Sequence, residues 1–206
     1  YQIKKYRPTY FVITDKKIFL KIKEKFKKSK TQFKNDFKKI DKIKKSYITV
    51  SAIPGIAGLL PTVTFIRISK KILIANKESI ICGWNLINKD AKKYKTEVIP
   101  IDSEHFSISK LLKHHDLKEI KKIYITASGG PFLKHKISQL KSISPRDALK
   151  HPKWKMGKKI SVDSATMMNK GLEMIEAFWL FNLKPTEIEV VIHPESIVHS
   201  MVEFRD

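Results

Sequence analysis

Between residues 46 and 101 the chain alternates short apolar runs with helical periodicity, and that alternation restricts it to a parallel α/β sheet. Residues 46–53 (SYITVSAI) read as a strand that stops at Pro54-Gly55. Pro61 suits the first turn of a helix reaching about residue 68, where its missing N–H would go unpaired anyway. Residues 71–75 (KILIA) form a short buried strand, 76–79 (NKES) open a second helix, and 96–101 (TEVIPI) make the next strand. The polar stretch 88–95 (NKDAKKYK) marks a possible domain edge. Beyond it, 122–127 (KIYITA) is a strand ending in Ser128-Gly129-Gly130, and 132–159 reads as a long loop with short helical pieces. Residues 164–181 then give one strong helix, and strands at 187–193 and 197–204 close the chain.

Charge is the most conspicuous property, at +22 over 206 residues, yet its distribution argues against a nucleic-acid partner. Residues 1–50 hold 17 Lys/Arg against 4 Asp/Glu, whereas residues 151–206 hold 7 against 8. Only Arg7, Arg67, Arg146 and Arg205 are arginines, the residue type that base readout and bidentate phosphate recognition favour. The excess is lysine on a solvated surface. Residues 14–30 put Phe19, Ile22 and Phe26 on one helical stripe, which packs on a sheet or lies on a membrane. No run of about 18 apolar residues exists to span a bilayer. Cys82, the single cysteine, excludes an internal disulfide and a Cys-based zinc site.

Several residues could carry chemistry. Asp102 and Glu104 follow a buried strand; if extended geometry persists they point the same way and need a cation or proton between them. A hard divalent ion suits that pair, although two acids also suit a helix N-terminus. On the expected helix, Thr166, Asn169, Lys170 and Glu173 share a face that turns apolar at Ala177 and Leu180, as a helix lining a cleft would. Ser128-Gly129-Gly130, at a strand's carboxyl end, could join Ser164, Asn169 and Lys170 in a phosphate cradle, or be a plain turn. Trp154 and Met156 lie in an irregular stretch and either pack on the domain or close over a ligand. His193 and His199, six apart in strands, read as core or supporting histidines rather than a metal pair.

Six stretches together carry a specific resemblance: AIPGIAGLLPT (52–62), ILIANKES (72–79), PIDSEH (100–105), ASGGPF (127–132), HPKWKMGKKISVDSATMMNKGLE (151–173) and IHPESIVHSMV (192–202). In this order and spacing the chain resembles the 1-deoxy-D-xylulose-5-phosphate reductoisomerase family, NADPH-dependent enzymes of non-mevalonate isoprenoid biosynthesis. The match extends from about residue 46 to the end and is loose before it. The resemblance implies a partial Rossmann-like NADPH-binding domain over 1–97 and an α/β catalytic domain over 98–206. It implies Asp102, Glu104 and Glu173 as ligands of Mg²⁺ or Mn²⁺, and Lys77 and Ser103 against the substrate beside that ion. Ser128, Ser164, Asn169 and Lys170 correspond to the substrate-phosphate site, with His151 beside it. Trp154 and Met156 correspond to a flap over the substrate, and Asn76, Glu78, Met156 and Gly157 to NADPH-contacting positions.

The implied reaction is a skeletal rearrangement of 1-deoxy-D-xylulose 5-phosphate followed by hydride reduction to 2-C-methyl-D-erythritol 4-phosphate. The implied setting is a homodimer in a bacterial cytoplasm, or alternatively a plastid-type organelle, with no nucleic-acid or membrane partner. No GxTGxxG-like turn occurs in the chain. It therefore reads as an internal piece, expected to be inactive alone, of an enzyme about twice as long. Two other classes stand beside this reading. A basic nucleic-acid-binding module would have to bind tightly near physiological salt, and a non-catalytic relative would have to lack part of the carboxylate set.

Overall fold

The computed structural model describes residues 1–37, 45–153 and 155–205. A short helix α1 (Gln2–Tyr6) opens the chain, and a first βαβ unit follows. In it β1 (Tyr10–Val12) pairs in parallel with β2 (Gln32–Lys34) across helix α2 (Lys16–Lys25). The Asp15 carboxylate caps α2 by accepting the Ile18 N–H at 2.8 Å. Phe19, Ile22 and Phe26 are half-buried, and the Phe26 ring lies 6.5 Å from that of Phe33 on β2. The stripe thus packs on its own strand.

The second sheet is wholly parallel, in the order β3 (Ser46–Ser51), β4 (Ser69–Ile74), β5 (Glu97–Pro100). Its crossovers are α3 (Leu59–Ile66) and α4 (Lys77–Tyr94). Val63, Ile66, Ile72, Ile74, Ile80, Ile87 and Ala91 form the core between them. Each fully buried isoleucine contributes about 1.5–3 kcal/mol by leaving water. The expected domain edge at 88–95 is instead the last turns of α4. Ala91 sits in the core, and Asp90 pairs with Arg67 at 3.1 Å, so this polar stretch has a buried side that composition conceals.

The third sheet has β6 (Ile120–Ala127) at its centre, with β7 (Ile188–Ile192) parallel and β8 (Ser200–Phe204) antiparallel to it. Helix α5 (Ser103–Leu111) leads into it, and the long connection after β6 holds α6 (Pro145–Ala148), α7 (Lys158–Ala165) and α8 (Met168–Phe181). The single helix expected over 164–181 is therefore two. Met167 stands between them at φ 59°, in the left-handed region, and its carbonyl accepts the N–H groups of Lys170 and Gly171. No glycine or proline marks this break. A close tertiary contact coincides with it: Gly130, at φ +71°, lies so near the end of α7 that a Cβ there would be 2.7 Å from the Ser164 carbonyl oxygen.

Helix α8 joins the two larger units. Met174, Phe178 and Phe181 pack on the third-sheet core of Ile108, Ile120, Ile123, Ile125 and Ile188. Trp179 and Leu180 pack on the second-sheet core. Residues 174–181 of α8 thus pack on both cores, and Glu173, 3% exposed, immediately precedes that packed stretch.

Candidate functional site

A cleft of about 560 Å³ opens at the carboxyl ends of β4, β5 and β6. Ligands of α/β sheets collect at such ends, because the loops there are free to vary above a fixed sheet. Its lining includes Lys77, Asp102, Ser103, Glu104, Ser128, His151, Met156, Ser164, Asn169, Lys170 and Glu173. Eleven positions singled out from sequence thus meet in one place, drawn from five segments of the chain.

At the centre lie three carboxylates. Asp102, Glu104 and Glu173 each offer an oxygen atom, and these atoms lie within 4.8 Å of one another. The expected extended geometry at 102–104 is not found: Asp102 is the N-cap of α5, and Ser103 and Glu104 form its first turn. The first turn still directs Glu104 toward α8. Asp102 caps the helix without using its side chain, whereas an N-cap aspartate normally accepts a backbone N–H. Its Oδ2 instead meets the His105 ring at 2.5 Å, and its Oδ1 is buried with no hydrogen-bond partner.

Two ammonium groups hold this acidic centre together. Lys77 donates to Glu173 Oε1 at 2.7 Å and to Asn169 Oδ1 at 2.9 Å, and Asn169 donates to Glu173 Oε1 at 2.6 Å. Lys170 bridges Glu104 Oε1, at 3.2 Å, and Glu173 Oε2. Burial alone would lower the Lys77 pKa, but the Glu173 charge outweighs it and raises that pKa above the ordinary lysine value. Burial would likewise raise Glu104; the Lys170 charge and the Ser103 hydroxyl, 2.8 Å from Oε2, instead hold it below the usual carboxylate range.

The residues fit a divalent cation. Asp102 keeps one buried oxygen without a hydrogen-bond partner beside two further carboxylates, and the Lys170 ammonium already shows that Glu104 and Glu173 accept a cation between them. All the donors are hard oxygens, which suits Mg²⁺ or Mn²⁺ rather than a thiolate-bound metal.

Beneath the carboxylates is a second buried group that sequence reading missed. His105 is wholly buried; its Nδ1 faces Asp102 and lies 3.5 Å from Glu176 Oε2, and its Nε2 donates to the Glu173 carbonyl at 2.9 Å. Burial opposes its charge, but the Asp102 hydrogen bond and the Glu176 charge prevail and raise its pKa to about 9. Burial pushes Glu176 up to about 8. Such a partner fixes a metal-binding carboxylate in orientation.

The anion-binding side is assembled in part. Ser128 Oγ lies 3.1 Å from His151 Nε2 and receives the Gly130 N–H at 3.3 Å, and Ser164 lines the same wall. Asn169 and Lys170, expected beside the phosphate, are committed here to the carboxylates. Thr166, expected on the same helical face, caps the end of α7 and is exposed. Among the four cofactor candidates, Met156 is the one that lines the cleft. Asn76 is 2% exposed, and its amide braces the preceding turn by donating to the Ile53 and Gly55 carbonyls while accepting the Ser79 N–H. Glu78 pairs with Lys159 at 3.0 Å, and Gly157 caps α7. Trp154 lies outside the described residues.

His193 and His199 do not sit in strands. Strand β7 stops at Ile192 and β8 begins at Ser200, so both histidines belong to the loop between. That loop brings Ser196 and His199 into the cleft, with His199 Nδ1 3.8 Å from Glu104. A turn of type HPES gives no periodic signal, so Ser196 was invisible in the sequence.

Parallel α/β units that converge on a carboxylate-rich, lysine-braced cleft define an α/β protein whose cleft could hold a divalent cation. The comparisons are specific. Residues 1–83 match the family model described as 1-deoxy-D-xylulose 5-phosphate reductoisomerase, and residues 98–181 match that of the same enzyme's C-terminal domain. The chain belongs to the 1-deoxy-D-xylulose 5-phosphate reductoisomerase family. It is 49% identical over 209 residues to the reductoisomerase of Pelagibacter ubique, covering all of this chain and 54% of that one. It is 46% identical to that of Clostridium novyi, covering 99% of this chain and 54% of the relative. Among solved structures, a DOX-P reductoisomerase in complex with NADPH, fosmidomycin and magnesium superposes with a TM-score of 0.88 at 40% identity, over 98% of this chain and 53% of that one. The Zymomonas mobilis reductoisomerase in complex with NADPH also gives 0.88, at 36% identity, over 99% of this chain and 53% of the other. The chain thus spans about half the length of the relatives it matches. No helix among the described residues is long and apolar enough to cross a membrane.

Proposed function

We propose that this chain forms the metal- and substrate-binding part of an NADPH-dependent reductoisomerase that converts 1-deoxy-D-xylulose 5-phosphate to 2-C-methyl-D-erythritol 4-phosphate. The observation that carries the reading is the convergence of Asp102, Glu104 and Glu173 with one buried carboxylate oxygen left unpaired. Family membership supplies the reaction. In this reading residues 1–97 belong to the dinucleotide domain and 98–206 to the catalytic domain, with β5 completing the sheet of the first by its pairing with β4. In this reading the complete protein acts as a homodimer, and it does so in the bacterial cytoplasm, which the bacterial origin of its relatives supports.

Asp102, Glu104 and Glu173 would hold Mg²⁺ or Mn²⁺, which would supply Lewis acidity, and NADPH when bound would supply the hydride. The chain's own residues do the rest. Lys77 keeps its proton beside Glu173 and offers a fixed positive charge to substrate oxygens that gain negative charge. Ser103 can turn its hydroxyl from Glu104 to a substrate hydroxyl. Ser128, Ser164 and His151, with Asn169 and Lys170 once substrate competes for them, bind and orient the phosphate. Met156, in the cleft lining, helps exclude water, which strengthens each of these contacts. For the dinucleotide, Met156 in the cleft lining would offer a contact, with Asn76, Glu78 and Gly157 as the further candidate positions.

The test is NADPH oxidation by the complete protein with 1-deoxy-D-xylulose 5-phosphate, with and without Mn²⁺. The expected outcome is turnover that chelation abolishes. Metal-independent turnover, or none with this substrate, defeats the reading.

A further inference from the structure

The loop between β7 and β8 carries Ser196 and His199 into the cleft, yet little in its composition would hold it there. Ile197 and Val198, its central residues, are 77% and 43% exposed, so no apolar burial anchors it. Ser196 adopts φ 56°, a left-handed conformation that a non-glycine residue enters at a cost. A strained, exposed loop needs a polar tether.

His193 supplies one. Its Nε2 accepts two backbone N–H groups at once, from Ile197 at 3.1 Å and from Val198 at 3.2 Å. A ring nitrogen that accepts carries no proton, so the proton sits on Nδ1, which lies 3.2 Å from Glu195 Oε2. The His193 carbonyl accepts the Ser196 N–H at 3.0 Å, closing the turn around the strained serine, and the His193 N–H reaches the Ala127 carbonyl at 2.7 Å. On the far side, Thr126 of β6 donates its hydroxyl to the Val198 carbonyl at 2.6 Å. The loop is thereby pinned to the carboxyl end of β6 at both ends, and the imidazole pins its middle.

We propose that His193 is a positioning residue: its ring, as acceptor of the Ile197 and Val198 N–H groups, holds the 193–199 loop so that Ser196 and His199 meet the phosphosugar. The proposal rests on the reading of the cleft as that substrate's site. Protonation of Nε2 would set a donor against two donors, so the tether works only with the neutral ring. Among the described residues, Glu195 is the charged group recorded against the ring.

The test uses the complete protein with His193→Ala and His193→Gln, the latter keeping an acceptor near the Nε2 position. In amide hydrogen exchange without ligand, Ile197 and Val198 should lose protection in the alanine variant and keep it in the glutamine variant. In turnover, the alanine variant should raise KM for the phosphosugar about tenfold, the worth of one hydrogen bond to a charged group. Its kcat and its KM for NADPH should stay within about threefold of wild type, the margin of one weak contact. The glutamine variant should restore KM. Wild-type exchange in the alanine variant, or an unchanged KM, overturns the proposal. Should the alanine variant fail to fold, a glutamine variant that loses protection at Ile197 and Val198 overturns it, since an acceptor is then still present. A wild-type protein inactive on this substrate would defeat the functional reading alone, since exchange still judges the tether.

Discussion

Replacing Glu173 with glutamine keeps the side chain's shape and removes one charge, so its consequences can be worked from the contacts. Glu173 is 3% exposed; one oxygen receives Lys77 at 2.7 Å and Asn169 at 2.6 Å, and the other meets Lys170. In the variant an amide faces two buried ammonium groups, and Lys170 retains only Glu104. Removing one partner of a buried pair costs about 3–5 kcal/mol, mostly from the charge left uncompensated. Lys77 then loses the charge that outweighs its burial, and its pKa falls from the raised value. Metal binding should suffer more than folding. Losing a mere supporting partner weakens binding about 10–100-fold, so loss of one of three anionic ligands should cost about a hundredfold or more. The assays are Mn²⁺ titration and urea unfolding of Glu173→Gln beside wild type, with turnover and NADPH binding measured in parallel. Turnover should vanish while NADPH binding persists. A variant that binds Mn²⁺ as wild type does, and unfolds at the same urea concentration, would refute both the ligand assignment and the charge argument.

Three further outcomes follow from the same contacts. Gly130→Ala should destabilise the protein by about 1–3 kcal/mol, because φ +71° strains any other residue and the new methyl meets the Ser164 carbonyl; substrate KM should rise as α7 shifts, and unchanged melting and KM would contradict this. In metal-free protein, stability should fall as pH rises toward 9. With His105 raised to about 9 and Glu176 to about 8, the native state holds more protons than the unfolded chain, whose histidine titrates near about 6.5. The His105 contribution is complete below that unfolded value and lost through its folded one. Denaturation at a series of pH values checks this, and Glu176→Gln should flatten the curve. Ile72→Ala, at a wholly buried position in the second-sheet core, should cost about 2–5 kcal/mol and leave Mn²⁺ affinity unchanged at temperatures where the variant is folded; a parallel loss of affinity would show that core and site are coupled.

Much of the fold was legible because it rests on local signals. The strand–helix alternation from Ser46 to Pro100 appears where the apolar runs, the cap at Asn76 and Pro61 in the first turn of its helix put it. The reading failed where a long-range contact overrules local preference. Residues 88–95 look like a linker, but Ala91 and Asp90 are pulled against the core and Arg67. Residues 164–181 look like one helix, but the close approach of Gly130 coincides with a break at Met167 that no residue type announces.

The carboxylates show the same division. Side-chain chemistry marked Asp102 and Glu104 as a pair suited to a cation or to a helix N-terminus, and the family resemblance joined Glu173 to them as a third ligand. The extended geometry expected for the first two was wrong, and they converge through the first turn of α5. That His105 and Glu176 would lie beneath them, that Lys170 would bridge two of them, and that an exposed loop tethered by His193 would complete the wall could come only from the packed chain. Composition and periodicity report on neighbours in sequence. The distances that set charge, orientation and access in this cleft join residues more than sixty positions apart, and only the packing of α8 between two sheets brings them together.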